Sequence, residues 1–231
     1  VNGFEYITTT LIMMVVPLVY YSILDRVRIS QFLKGILTAM FGSFLAVLLS
    51  LMILSFQIIS VKGSMSAAFE HIVFSLMKRT HGNASDFPDI YTASQTAGTI
   101  EVVITYLRGT FFDVNNYLTT SSPFVSRFLF EIRYLYLIVL FLVMSIFVFY
   151  RRDNNISTKQ RQRNIALIFA TWFSILAPLS WYVIFKSHSF IHPHINYILW
   201  QMPFTFFGFA VCGLAAKSVF PDFTRLVRRR I

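Results

Sequence analysis

The chain has 231 residues, of which 56% are hydrophobic, 17% aromatic and only 13% charged. Soluble domains carry about 25% charged residues, so the composition excludes an ordinary water-exposed globule and calls for a surface that faces lipid. The net charge is +10 and there is one cysteine, Cys212, which rules out an internal disulfide framework.

An apolar run begins within a few residues of Val1, with no charged stretch or cleavage pattern ahead of it. It therefore does not read as a signal peptide. The expectation is a single membrane domain over 1–231 that forms the C-terminal part of a longer protein. Five apolar stretches approach the roughly 20 residues needed to cross a bilayer: 6–24, 35–60, 134–150, 165–185 and 195–216. None contains Asp, Glu, Lys or Arg. Lipid offers no partner to a free backbone amide, so each is read as a helix, with Pro17, Pro178 and Pro203 as kinks rather than ends. The predicted fold class is all-α: a polytopic membrane protein of about five transmembrane helices with a helical outer-face segment.

In the second stretch, Ala39, Gly42, Ser43 and Ala46 form a small-residue face suited to helix–helix association. The segment 61–132 then separates the second and third spans. Met65, Ala68, Phe69, Ile72, Val73, Leu76 and Met77 recur at three-and-four spacing, the signature of one helical face. Ser64 or Ser66 can cap the start of this helix, and Lys78 and Arg79 suit its C-terminal end. Two placements are open to it: flat in the membrane interface, or packed over the bundle as a roof. A turn over 80–88 leads to a second helix whose apolar face is read as Ile100, Val103, Ile104 and Leu107. Glu101 and Arg108 are seven apart and read as a solvated surface pair. After a polar stretch over 115–123, residues 124–130 lead into the third span.

Charge orients the spans. The loops 25–34, 151–163 and 217–231 carry net charges of +2, +4 and +4, which account for the whole +10. Alternate connections hold all the excess, as the positive-inside rule requires. The N-terminus and two loops are therefore expected outside, with the C-terminus cytoplasmic. Because the basic runs border spans, their expected partners are membrane lipids and not nucleic acid.

The second outer loop is the richest in chemistry: Lys186-Ser-His188-Ser-Phe-Ile-His192-Pro-His194-Ile-Asn196-Tyr-Ile-Leu-Trp200. Three of the five histidines fall here. No HExxH pattern or paired histidine boxes occur, and no carboxylate lies in the loop, so no metal and no other cofactor is expected. An anion fits better: Lys186, His188, His192, His194 and Asn196 can all donate hydrogen bonds. Lys78, Arg79 and Arg108 are the candidate cations to complete a phosphate site, alongside Arg127. The same loop also suits a polar turn anchored at the interface by Trp181, Tyr197 and Trp200.

Leu176-Ala-Pro-Leu-Ser-Trp181 together with the stretch from His188 to Trp200 resembles the C-terminal part of bacterial multi-pass proteins of the GT-C glycosyltransferase type. The resemblance covers about 25 residues and contains no catalytic motif. It implies a membrane enzyme of the cell envelope, in the bacterial cytoplasmic membrane, that takes a sugar from a polyprenyl-phosphate donor on the outer face. The family's usual catalytic acid lies in a first outer loop with no counterpart here. Glu70, Asp86, Asp89, Glu101 and Asp113 are possible bases, and spacing does not choose among them. The alternatives are a transporter or channel subunit, which charge-free spans argue against, and a non-catalytic membrane assembly subunit. The orientation can be checked in intact cells lacking Cys212. Cysteines at Ser85 and Ser121 should react with an impermeant thiol reagent, whereas cysteines at Ser157 and Ser218 should be shielded; the reverse pattern would overturn the charge argument.

Overall fold

A computed structural model describes residues 6–113, 131–151 and 156–219. The chain is mostly helical. Helix α1 spans Ile7–Leu24 and runs antiparallel to α2, Ile29–Lys62. Gly63, in the left-handed conformation at φ 81°, closes α2 and turns the chain directly into α3, Met65–Arg79. A side-chain-bearing residue is strained there, which is why glycine stands at this corner. Ser64 is the cap of α3, its hydroxyl accepting from the Ala67 amide at 3.2 Å. Two short 3-10 turns and α4, Thr92–Thr96, lead to α5, Thr99–Leu107.

The first departure from an all-helical expectation follows. Thr110–Asp113 (β1) pairs antiparallel with Glu131–Arg133 (β2), bringing together the two ends of the segment 114–130. The expected polar stretch over 115–123, the lead-in over 124–130 and Arg127 lie outside the described residues. Helix α6, Tyr134–Tyr150, continues from β2, and α7, Thr158–Ser174, returns. The remaining helices are α8, Leu176–Ile184; α9, Lys186–Ile191; α10, Asn196–Trp200; and α11, Phe206–Val219.

Among the described residues, four helical stretches are long and apolar enough to cross a membrane: 7–24, 29–62, 158–184 and 193–219. These mark the chain as an integral membrane protein. Tyr134–Tyr150 is apolar throughout and has 17 residues, or about 26 Å at 1.5 Å per residue. The second stretch is longer than its apolar run suggested, at 34 residues, or about 51 Å.

Two prolines interrupt helices as proline chemistry requires. Pro178 cannot donate to Ser174, and α7 gives way to α8 at Ile175. Before Pro203 the helical conformation is sterically disfavoured, and Met202 takes φ −95°, ψ 98° inside a π-type turn over Gln201–Thr205. The Thr205 hydroxyl donates to the Trp200 carbonyl at 2.8 Å, giving one acceptor at this break a partner within the helix. Pro17 is accommodated within α1.

Helix α1 packs on α7 and α8, and α11 packs on α6 and α7. The core between them is aromatic: Phe141, Trp181, Tyr182, Trp200 and Phe204 are buried among Tyr106 and Tyr134. Trp181 and Trp200 are each 0% exposed. The reading of these two as interfacial anchors is corrected: their rings stack into the core, while Tyr197 is exposed as that reading requires.

By contrast α2 has no buried residue and touches α1 and α3 alone among its substantial contacts. Its small face is divided. Ala39 and Ser43 turn to α1, where the Ser43 hydroxyl lies 3.8 Å from Met14 Sδ. Gly42 and Ala46 are exposed.

On α11, Gly208 lies against the Phe141 ring, which occupies the place a Cβ would take, whereas Gly213 has nothing within 4 Å of that place. Gly208→Ala should therefore overpack the α6–α11 contact at a cost of about 1–3 kcal/mol. Gly213→Ala should be near neutral. Thermal unfolding of both proteins in detergent measures the difference, and equal behaviour would refute the contact.

Candidate functional site

The histidine loop folds as α9, one 3-10 turn over Pro193–Ile195, and α10. His188 and His192 are one helical turn apart and share a face. Their ring centroids are 4.5 Å apart, and His192 lies 5.3 Å from His194. The three imidazoles thus form a row, half-buried at His188 and His192 and exposed at His194. Trp181 backs the row, with its ring 6.1 Å from His188. Among the described residues no three His, Cys, Asp or Glu side chains form a group able to hold a metal.

Tyr106 holds this loop in place. Its hydroxyl lies 2.7 Å from the Ser189 carbonyl and 2.9 Å from the His192 carbonyl, and it donates to this pair. Its ring stacks on Tyr182 at 4.0 Å. Burial, and secondarily the Tyr6 phenol, pushes the Tyr106 hydroxyl well above the usual tyrosine range, so it remains a donor. Of the apolar face read from the sequence, Ile100, Val103, Ile104 and Leu107, only Val103 and Leu107 pack against the core. Ile100 and Ile104 are exposed, while Val102 and Tyr106, also four apart, are buried. Periodicity alone cannot rank two neighbouring faces of one helix. The face that wins offers a hydroxyl to two carbonyls and a ring to an aromatic stack.

Asn196 is likewise turned inward, not toward an anion. Its amide donates to the Tyr106 carbonyl at 3.0 Å, and its oxygen accepts from the Tyr182 hydroxyl at 3.3 Å. The close approach is possible because residue 109 is glycine: a Cβ there would collide with the Asn196 amide. Asn196 is therefore a structural tie of the loop.

The candidate cations are dispersed. Lys78 lies 4.5 Å over the Tyr91 ring and donates to its hydroxyl at 3.3 Å. Arg79 donates to the Ser75 carbonyl at 3.2 Å, within its own helix. Arg108 is exposed at the end of α5. Glu101 caps the Gly98 amide at 3.3 Å, so the expected Glu101–Arg108 surface pair is replaced by a helix cap. Of the other possible bases, Glu70 accepts from Ser66 and Asp86 from Ser85, both on exposed surface.

A seam the sequence did not reveal joins the end of α3 to the loop. Ser187 donates to the Thr80 carbonyl from both its amide and its hydroxyl, at 3.3 and 2.7 Å. The Gln95 amide donates to the Lys78 carbonyl at 2.8 Å, and the buried Lys186 ammonium donates to the Gln95 carbonyl at 2.6 Å. Burial holds Lys186 below the ordinary lysine range. His81 adds a contact of 2.8 Å to the Val183 carbonyl, in which the imidazole must be the donor.

An apolar cleft of about 480 Å³ opens between α1, α2 and α7. Ile7, Leu11 and Val15 line one wall, Ala39, Ser43 and Val47 the other, with Phe173 contributed by α7. Ile7 stands at one end, and the preceding residue, Tyr6, stacks on Trp181 at 6.1 Å. Trp181 therefore bridges the cleft end to the histidine row. No family model matches this chain, and no curated protein or solved structure shows significant similarity to it.

Removing the Tyr106 hydroxyl would take one of two donors from the Ser189 carbonyl, which keeps the His192 amide at 3.1 Å. Tyr106→Phe should lower stability by about 0.5–1.5 kcal/mol in mixed-micelle unfolding, whereas His194→Ala, at an exposed position, should stay within about 0.5 kcal/mol. Equal stability of Tyr106→Phe and the parent would remove Tyr106 as the tie.

Proposed function

We propose that this chain is the membrane-embedded, carrier-binding part of a glycosyltransferase that takes its sugar from a polyprenyl-phosphate donor. In this reading the chain crosses the bilayer five times, with α6 as the third crossing. The histidine loop faces outward and the C-terminus is cytoplasmic. The observation that carries the proposal is the continuity from cleft to histidine row. An apolar cleft suited to an isoprenoid chain ends at Ile7, one residue from the aromatic bridge Tyr6–Trp181 that leads to His188. A lipid phosphate needs these two environments side by side: an apolar slot for its tail and hydrogen-bond donors for its head.

In the transfer the acceptor hydroxyl oxygen bonds to the anomeric carbon. The bond from that carbon to the phosphate oxygen breaks, and the phosphate leaves with the electron pair. The acceptor proton passes to a base. His188, His192 and His194 hold the departing phosphate, donating to the charge that grows on it. Arg108 is the exposed cation on the helix tied to the loop. Lys78 and Arg79, engaged by Tyr91 and Ser75, shape the surrounding field more than they touch the anion. The base is not assigned to any residue.

Binding tests this directly. Farnesyl phosphate should raise the melting temperature of the purified protein in detergent, while farnesol and inorganic phosphate at equal concentration should do so far less. His192→Ala should weaken farnesyl phosphate binding at least tenfold with unchanged expression and membrane insertion. Equal shifts with farnesol, or an unaffected His192→Ala protein, would sink the phosphate site.

A further inference from the structure

The exposed stripe of α3 points to a site that no chemistry of the histidine row explains. Met65, Phe69 and Leu76 are 62%, 67% and 54% exposed, and they lie at four- and seven-residue spacing on one side of the helix. Ile72, between them, is half-exposed. Of the whole helix only Ala68 is buried. The sequence left α3 two placements, flat in the interface or packed over the bundle, and the Met65–Phe69–Leu76 side is exposed and not packed on the bundle.

What covers it follows from where α3 begins. Helix α2 has no buried residue along its length and carries exposed apolar side chains to its end: Phe56 is 63% and Val61 85% exposed. A spanning helix of that kind is surrounded by acyl chains. Gly63 then turns the chain within two residues, so the stripe of α3 starts where the lipid-facing surface of α2 stops. The side away from the stripe carries Glu70 and His71, both exposed, with Phe74 between them against the Phe87 ring, and cations flank the helix at Lys62, Lys78 and Arg79. An apolar stripe, exposed polar residues away from it and flanking cations are the composition of a helix lying in the headgroup–acyl boundary.

We infer that α3 is an interfacial anchor whose Met65–Phe69–Leu76 stripe is immersed in the lipid leaflet that α2 enters. The anchor has a consequence for the loop. Because Ser187 bonds the Thr80 carbonyl at the end of α3, the anchor ties the histidine row to the depth of the lipid headgroups. The inference does not depend on the transferase reading.

The test uses nitroxide labels at Phe69 and Leu76 in a Cys212→Ala background, with the full chain in vesicles of phosphatidylcholine and phosphatidylglycerol. Labels at Phe56 and His71 provide the lipid and water references. Power saturation should find Phe69 and Leu76 more accessible to oxygen than to a water-soluble nickel chelate, as at Phe56, with the opposite ratio at His71. Nickel accessibility matching that of His71 would place the stripe in water and overturn the inference. Shielding from both agents would overturn it equally, showing a protein surface over the stripe. Both labelled side chains are exposed, so the labels displace no packing; a farnesyl phosphate binding failure would leave these readings unchanged.

Discussion

The hydroxyl of Tyr106 and its own backbone carbonyl together tie helix α5 to a loop more than 80 residues further along the chain. The hydroxyl engages Ser189 and His192, and the carbonyl engages Asn196. A loop between two membrane helices must find partners for its buried backbone groups. Here a buried tyrosine adds a donor to two of its carbonyls, and the row of imidazoles hangs from the backbone it braces. The seam from Thr80 and Gln95 to Ser187 and Lys186 ties the other side of the same loop. With both sides tied, His188 and His192 are presented by a braced segment and not by a free turn.

The two halves of the bundle solve the problem of lipid differently. Around α8 and α10 the aromatic rings pack into a core from which lipid is excluded, and Trp181 and Trp200 are fully enclosed. Their indole N–H groups have no hydrogen-bond partner among the described residues, as does the Tyr134 hydroxyl. Stacking of rings, with Tyr134 on Trp200 at 5.4 Å, stands against that cost. Helix α2 contributes nothing to this core. It stands off the bundle, meets α1 across an apolar cleft, and leaves Gly42 and Ala46 open. The polar loop and the apolar cleft are therefore separate structural regions that meet at the Tyr6–Trp181 contact.

Much of the fold was legible in the residues. Runs without charge that match the bilayer thickness cannot be other than helices in lipid, and the boundaries of α1 and α6 fall within one residue of the expected stretches. Ser64, one of two cap candidates before the periodic run, is the cap of α3, while the turn at Gly63 emerged only from the structure. What spacing could not decide was whether an apolar face is a packed face. In water that holds, because burial is the main gain available to an apolar side chain. Beside lipid it need not, and Phe69, Leu76 and Ile100 stand exposed.

The sequence by itself determined the membrane setting, the helical spans, and the clustering of His188, His192 and His194, because these depend on composition and on spacing within one helical turn. Tertiary structure alone decided which polar residues are free to act. Asn196, Lys186 and Glu101 look like available donors and bases in the chain. Folding commits them to the Tyr106 carbonyl, the Gln95 carbonyl and the Gly98 amide. The reason is physical: a buried polar group must take the nearest partner, and for Asn196 and Lys186 that partner lies 90 or so residues away, which no local pattern can specify.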